Sequence, residues 1–257
     1  MSGEDGGPTA KERSGRRRDV ADLAGSAGIG AWAAFTVLAL VVVGRAGAPL
    51  WLDDRFHIWS VGHRPQEAVA LARGVTATGT GVVPYLLTAL AGVVAGRTPR
   101  TRLLAAAIGL ACLAAGQLAR HGVMELVHRS RPPVAGWAAH ATGWAFPSGH
   151  TTTAALTAGV LTVALTLRAP RGGTVLRFAA CGWALLVGLT RVYLGVHWFT
   201  DVLGGWLFTA GWLGLCLCAA ARLLPASFLT DPTAPAEQPR QHPAPGGRGH
   251  RGGSGTG

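Results

Sequence analysis

Six apolar stretches divide this chain, and most of its arginines lie between them. They run from Ala27 to Val43, Ala68 to Ala95, Leu103 to Leu118, Ala154 to Leu167 and Phe178 to Leu194, with a sixth opening at His197 and reaching Ala221. An apolar run of about 20 residues matches the bilayer hydrocarbon, where the backbone must satisfy its own hydrogen bonds. The pattern predicts an all-α fold, a polytopic six-helix transmembrane bundle. Composition agrees: only 14% of residues are charged, against about 25% in soluble domains.

The expected organisation is a disordered cytoplasmic tail over 1–25, a six-span membrane domain over 26–223, and a disordered, Pro-, Gly- and Arg-rich cytoplasmic tail over 224–257. The N-terminus is too long and polar ahead of its first apolar run to read as a cleavable signal peptide. Between Arg45 and Gln66, Trp51 and Trp59 alternate with Asp53, Asp54 and His57, which suits a segment lying in the headgroup layer. The second stretch is weak in its first half, where Arg73 falls. The third is expected to continue helically through Arg120, His121 and Glu125 towards Arg129, until Pro132-Pro133 stops it.

A formal charge of +11 first suggests nucleic acid. The basic residues do not form one folded basic face, however, so no nucleic-acid partner is expected. They follow membrane topology instead. The tails carry Lys11, Arg13, Arg16, Arg17, Arg18, Arg222, Arg240, Arg248 and Arg251, and the connections on the same side carry Arg97, Arg100, Arg102, Arg168, Arg171 and Arg177. These are 15 of the 23 Lys and Arg, which marks that side as cytoplasmic. Heavy use of Ala, Gly and Arg suggests a bacterial, GC-rich genome. The four cysteines all lie in apolar runs and read as small buried hydrophobes.

On the opposite, extracytoplasmic side three polar clusters emerge: Arg129 and Arg131-Pro132, then Pro147-Ser148-Gly149-His150, then Arg191 with His197 and Asp201. Ser148 is a good N-cap, and a helix opening there turns free N–H groups and its positive dipole end towards the Ser-Gly-His turn, which favours an anion. His197 and Asp201 stand four residues apart, on one helical face. A carboxylate so placed can take the Nδ1 proton and leave Nε2 free as nucleophile or base. Gly195 is expected to break the chain and bring Arg191 to the same place across a tight turn. Each piece has a plainer reading: a capped helix start, interfacial arginine anchors, a structural His–Asp pair. Together they suit phosphoryl transfer, because guanidinium forks and helix-end amides can hold the spreading phosphoryl charge without a metal.

In these residues the chain resembles the type 2 phosphatidic acid phosphatase superfamily of membrane lipid phosphatases. That family carries Lys-x6-Arg-Pro, Pro-Ser-Gly-His and Ser-Arg-x5-His-x3-Asp. Here stand Arg131-Pro132, Pro147-Ser148-Gly149-His150 and Thr190-Arg191-x5-His197-x3-Asp201, and the likeness covers roughly residues 27 to 222. Thr190 keeps the hydroxyl of the family serine, but Met124 stands where the family has its lysine. The resemblance implies that His197 attacks phosphorus and is oriented by Asp201. It implies that His150 protonates the leaving alkoxide and later activates water. It implies that Arg131, Arg191, Ser148 and the Gly149 amide hold the phosphate. The residues alone do not rank His197 over His150 as nucleophile.

The implied activity is hydrolysis of a phosphomonoester or diphosphate on a membrane lipid, through a phosphohistidine and without metal or other cofactor. Phosphatidic acid, phosphatidylglycerol phosphate or a polyprenyl diphosphate is the substrate type, and the bilayer of a bacterial plasma membrane is the setting. The oligomeric state is not implied. The missing lysine leaves open a catalytically silent relative that only binds lipid phosphates. A haem or metal protein and a transporter are further alternatives; the former would need ligands among His57, His63, His121, His128 and His140, none of which forms a helical pair aimed at the membrane centre. The only lysine is Lys11, so Arg120, one turn before Met124, is the expected replacement cation in the binding site, with His128 on the same face.

Overall fold

A computed structural model of the chain describes residues 10–169 and 172–223. The described residues form eight α-helices and one short 3-10 turn, with no strand among them. The helices are α1 (Ala10–Gly44), α2 (Trp51–Gly62), α3 (Gln66–Ala77), α4 (Val82–Ala95), α5 (Pro99–Val127), α6 (Gly149–Arg168), α7 (Thr174–Tyr193) and α8 (Phe199–Leu223). Five of them are long and apolar enough to cross a membrane: α1 from Ala21, α5, α6, α7 and α8. The bent pair α3 and α4 makes a sixth if it is one span.

Two boundaries differ from expectation. Helix α1 starts at Ala10, inside the stretch expected to be a disordered tail. Ala, Lys, Glu and Arg are strong helix formers, and a helix already nucleated by its apolar half extends through them at little cost. The expected tail residues 1–9 and 224–257 lie outside the described residues. The second apolar stretch is a pair of helices meeting at 50° rather than one rod. Gly81, at φ +66°, provides the left-handed residue that the break requires.

Helices α6 and α8 are the inner pair, each burying 44% of its apolar window against 17% for α5. The outward faces carry Leu40, Leu103, Leu118, Phe178 and Leu186 in the open, as a lipid-facing surface demands. Small residues set the closest approaches. A Cβ on Gly28 of α1 would lie 3.1 Å from the Gly214 Cα of α8. A Cβ on Gly205 of α8 would lie 3.0 Å from the Thr151 Cβ of α6, so the start of α6 rests directly on α8.

An aromatic cluster locks this arrangement near one end. Phe35 of α1 stacks on Phe146 at 5.6 Å and meets Phe208 of α8 edge-on at 5.7 Å. Phe146 is fully buried and immediately precedes Pro147-Ser148, so the cluster anchors the chain where α6 begins. Helix α5 opens on Thr98, whose hydroxyl accepts from the Thr101 amide at 3.2 Å, with Pro99 at the first helical position. It ends at Val127 with His128 in the left-handed region, φ +49°. The helix therefore stops before the prolines expected to stop it, and Arg129 turns inwards. Helix α2 buries Asp53 and Ser60 and exposes Trp51, Ile58 and Trp59, an amphipathic face of the kind expected in the headgroup layer.

Candidate active site

The connection after α5, the first turn of α6 and the turn between α7 and α8 converge at one end of the bundle. Backbone hydrogen bonds tie them together: Ala145 N donates to Arg129 O at 2.8 Å, Ala138 N to Leu194 O at 2.8 Å, and Ser148 N to Asp201 O at 3.0 Å. Gly195, at φ +71°, makes the tight turn that returns the chain from Arg191 to His197.

His197 lies just ahead of α8 rather than on it, and Asp201 sits in the first turn of that helix. Asp201 Oδ2 accepts from the Trp198 amide at 2.8 Å and faces His197 Nδ1 at a longer 3.4 Å. On the other side of the ring, Arg131 Nη1 lies 2.9 Å from His197 Nε2. A guanidinium can only donate, so Nε2 is the lone-pair nitrogen and the proton rests on Nδ1 beside Asp201. This is the tautomer a nucleophilic Nε2 needs. Burial, with Arg131 and Arg191 nearby, holds the His197 imidazole well below its ordinary pKa.

Arg131 is held as a fan. Its nitrogens donate to the carbonyls of Gly143 (2.9 Å), Thr142 (2.7 Å), Trp144 (3.1 Å) and Val196 (2.8 Å). Arg191 is buried at the end of α7, with Nη1 donating to Thr76 Oγ1 of α3 at 3.2 Å. Its Nε is buried without a partner among the described residues. Beside it opens a cleft of about 610 Å³ lined by Arg73, Thr76, Trp137, Ala138, Ala139, His140, His150 and Arg191. His197, 3% exposed, is not among the residues that line it and has Arg131 against its ring.

Ser148 occupies the N-cap of α6, as expected, but its side chain makes no capping bond. Its hydroxyl accepts from Thr151 Oγ1 at 3.0 Å. The first intrahelical amide bond there is Thr152 N to Ser148 O, so the amides ahead of it in the first turn have no intrahelical acceptor and suit an anion.

A family model described as the PAP2 superfamily matches residues 30–224. The chain belongs to the PAP2 superfamily. It is 40% identical over 84 residues to phosphatidylglycerophosphatase B of Bacillus subtilis, spanning 32% of this chain and 41% of that protein. It is 41% identical over 66 residues to the undecaprenyl-diphosphatase of Sulfolobus acidocaldarius, 26% of this chain and 29% of that one. It is 41% identical over 76 residues to the lipid A 1-phosphatase of Rhizobium etli, 30% of this chain and 29% of that one. The matches thus span less than half the length of these curated relatives. Among solved structures, the transmembrane PAP2-type phosphatidylglycerolphosphate phosphatase from Bacillus subtilis superposes with a TM-score of 0.61 at 27% identity, covering 76% of this chain and 94% of that one. This PAP2 chain is an integral membrane protein.

Within the PAP2 site the position of the absent lysine is informative. Met124 is nearly buried, and its Sδ lies 3.4 Å from Arg120 Nη1. The same nitrogen lies 3.4 Å from Pro147 O, and the guanidinium carbon would stand 3.5 Å from a Cβ on Gly149. Arg120 therefore reaches past Met124 to the first turn of α6. His128, on the same helical face by count, turns away, with its Nε2 3.8 Å from Glu125 and its ring against Trp144. Thr190 also points elsewhere, donating to Val187 O of its own helix at 2.7 Å.

Three neighbours escaped the motif reading. Asp53 and Thr200 join Arg129 and Asp201 in a buried network, and Thr76 supports Arg191. In the sequence Arg129 stands beside Arg131 in a polar cluster, and Asp53 lies in the segment expected in the headgroup layer. The available signal was an acid two residues into an otherwise tryptophan-rich stretch.

Proposed function

We propose that this chain hydrolyses a phosphate ester or diphosphate on a membrane lipid, with His197 as nucleophile. The observation that carries the proposal is the state of His197: buried, Nδ1–H facing Asp201, and Nε2 lone pair turned to Arg131 beside the α6 N-terminus. Phosphate entering beside Arg191, His150 and the α6 amides draws Arg131 onto its oxygens and frees Nε2. The Nε2 lone pair then bonds to phosphorus as the phosphorus–oxygen bond to the lipid breaks. His150 supplies the proton taken up by the leaving alkoxide and then receives one from the water that displaces phosphate from Nε2. Arg131, Arg191, Arg120, Ser148 and the Gly149 amide hold the equatorial oxygens.

The named activities of the relatives support a lipid phosphate as substrate. The cationic side chains gathered at the site, Arg120, Arg131 and Arg191, support a reaction that needs no metal to hold the phosphoryl charge. The 15-of-23 bias of basic residues supports cytoplasmic termini and a site on the extracytoplasmic face.

The test is phosphate release by the purified chain from vesicles of phosphatidic acid, phosphatidylglycerol phosphate and undecaprenyl diphosphate. Quenching of ³²P-substrate reactions in alkaline detergent, where an N–P bond survives, accompanies it. Turnover with an acid-labile label, both lost in His197→Ala, is expected. An inert wild type on every lipid would instead leave a silent binder.

A further inference from the structure

Asp53 and Arg129 take no part in the chemistry above, yet both are fully buried one side chain away from it. Arg129 divides its guanidinium between two carboxylates. Nη2 donates to Asp53 Oδ2 at 2.7 Å, while Nη1 donates to Asp201 Oδ1 at 2.6 Å and to Thr200 Oγ1 at 2.7 Å. Asp53 Oδ1 in turn accepts from the Thr200 amide at 2.8 Å, so a carboxylate of α2 caps the first turn of α8. The Arg129 guanidinium also sits 5.9 Å from the Trp198 ring, next to His197 in the chain.

Apolar side chains would join α2 to α8 at least as well as this ionic set does, because burying charge is costly. What the ionic set adds is direction. Asp201 has two oxygens and two jobs. With Oδ1 taken by Arg129, only Oδ2 is left for the Trp198 amide and His197 Nδ1. A carboxylate free to rotate would not hold the imidazole in one tautomer.

We infer that Asp53 and Arg129 are positioning residues: Arg129 fixes Asp201 so that Oδ2 aims at His197, and Asp53 balances and anchors Arg129. The inference rests on the reading of His197 as nucleophile.

The two residues act with opposite sign on His197. Its ring is faced by Arg131 from the α5–α6 connection, Arg120 from α5, His150 from α6, Arg191 from α7 and Asp201 from α8. Behind Asp201 stand Arg129 and, from α2, Asp53. Removing the Arg129 charge leaves two carboxylates unbalanced, which favours imidazolium and moves the acid limb of kcat/KM to higher pH. Removing the Asp53 charge leaves the region more positive and moves the limb to lower pH.

The experiment compares wild type, His197→Ala, Arg129→Gln, Arg129→Lys and Asp53→Asn, full-length in proteoliposomes, on the fastest lipid of the panel above. Rates are taken per folded molecule, by size exclusion and thermal midpoint. Arg129→Gln and Asp53→Asn are expected to lower kcat by up to about 100-fold with KM nearly unchanged, and to shift the acid limb in opposite directions. Arg129→Lys is expected to recover part of kcat. Wild-type kcat in either variant, or losses confined to the amount of folded protein with unmoved limbs, overturns the proposal. Should Arg129→Gln not fold, Arg129→Lys and Asp53→Asn decide by the same two readouts. His197→Ala as active as wild type would instead defeat the reading of the site itself.

Discussion

Arg120 Nη1 lies 3.4 Å from both Met124 Sδ and the Pro147 carbonyl, placing a cation at the helix end where the family lysine is absent. Among the described residues no carboxylate forms an ion pair with it; Glu125, the nearest acid in sequence, faces His121 and His128.

Arg120→Ala is therefore expected to slow turnover by one to two orders of magnitude, since a charge-assisted phosphate contact contributes about 1.5–3 kcal/mol. Adding Met124→Lys to Arg120→Ala is expected to restore most of the rate. Phosphate release across the two-by-two set measures this, and an unaffected Arg120→Ala would make Arg120 an ordinary interfacial residue.

His197→Ala is expected to abolish turnover, whereas Asp201→Asn leaves a measurable remainder. On the proposed assignment the first removes the atom that would bond phosphorus; the second mainly disturbs the tautomer and the link to Arg129. Equal, mild losses in single-turnover assays would remove His197 from its role.

The depressed pKa of His197 has a direct kinetic reading. Burial, Arg131 and Arg191 disfavour the imidazolium, so the neutral form, the one the proposed mechanism needs, persists below the ordinary value of about 6.5. Arg191→Gln removes one of these charges and is expected to raise the acid limb of kcat/KM. The ionisation of the substrate is common to both proteins, so the difference between their pH profiles isolates the enzyme. A limb that stays in place would separate Arg191 from His197 electrostatically.

Topology is open to impermeant thiol labelling in a background with the four native cysteines replaced. Val134, exposed in the α5–α6 connection, is expected to be labelled from outside intact cells as Val134→Cys. Gly172, exposed at the other end of the bundle with open space at its Cβ, is expected to be protected as Gly172→Cys. The reverse pattern would place the site in the cytoplasm.

The helices were legible because lipid imposes a coarse rule, long apolar runs with charge at their ends, and α5 to α8 obey it. The bend between α3 and α4 was present in the sequence as Thr78-Gly79-Thr80-Gly81, but a hydropathy run registers composition and not direction. The candidate site was legible where its residues are close in sequence, as with Ser148-Gly149-His150 or His197 and Asp201, which the structure brings together. Asp53 and Arg129 pair across 76 positions, and Arg191 and Thr76 across 115, so no local spacing announces either contact. The short reach of Arg120 past Met124 was accessible because both lie on one helix, one turn apart.

In the proposed mechanism, the guanidinium of Arg131 resting on Nε2 of His197 would make the resting nucleophile a captive of its own binding group. Only a ligand rich enough in negative charge to win that guanidinium away uncovers the lone pair. A neutral phosphotriester, or a carboxylic ester of the same lipid, meets an imidazole that is still occupied. Selectivity for anionic phosphorus would in that mechanism be settled before any bond to phosphorus begins to form.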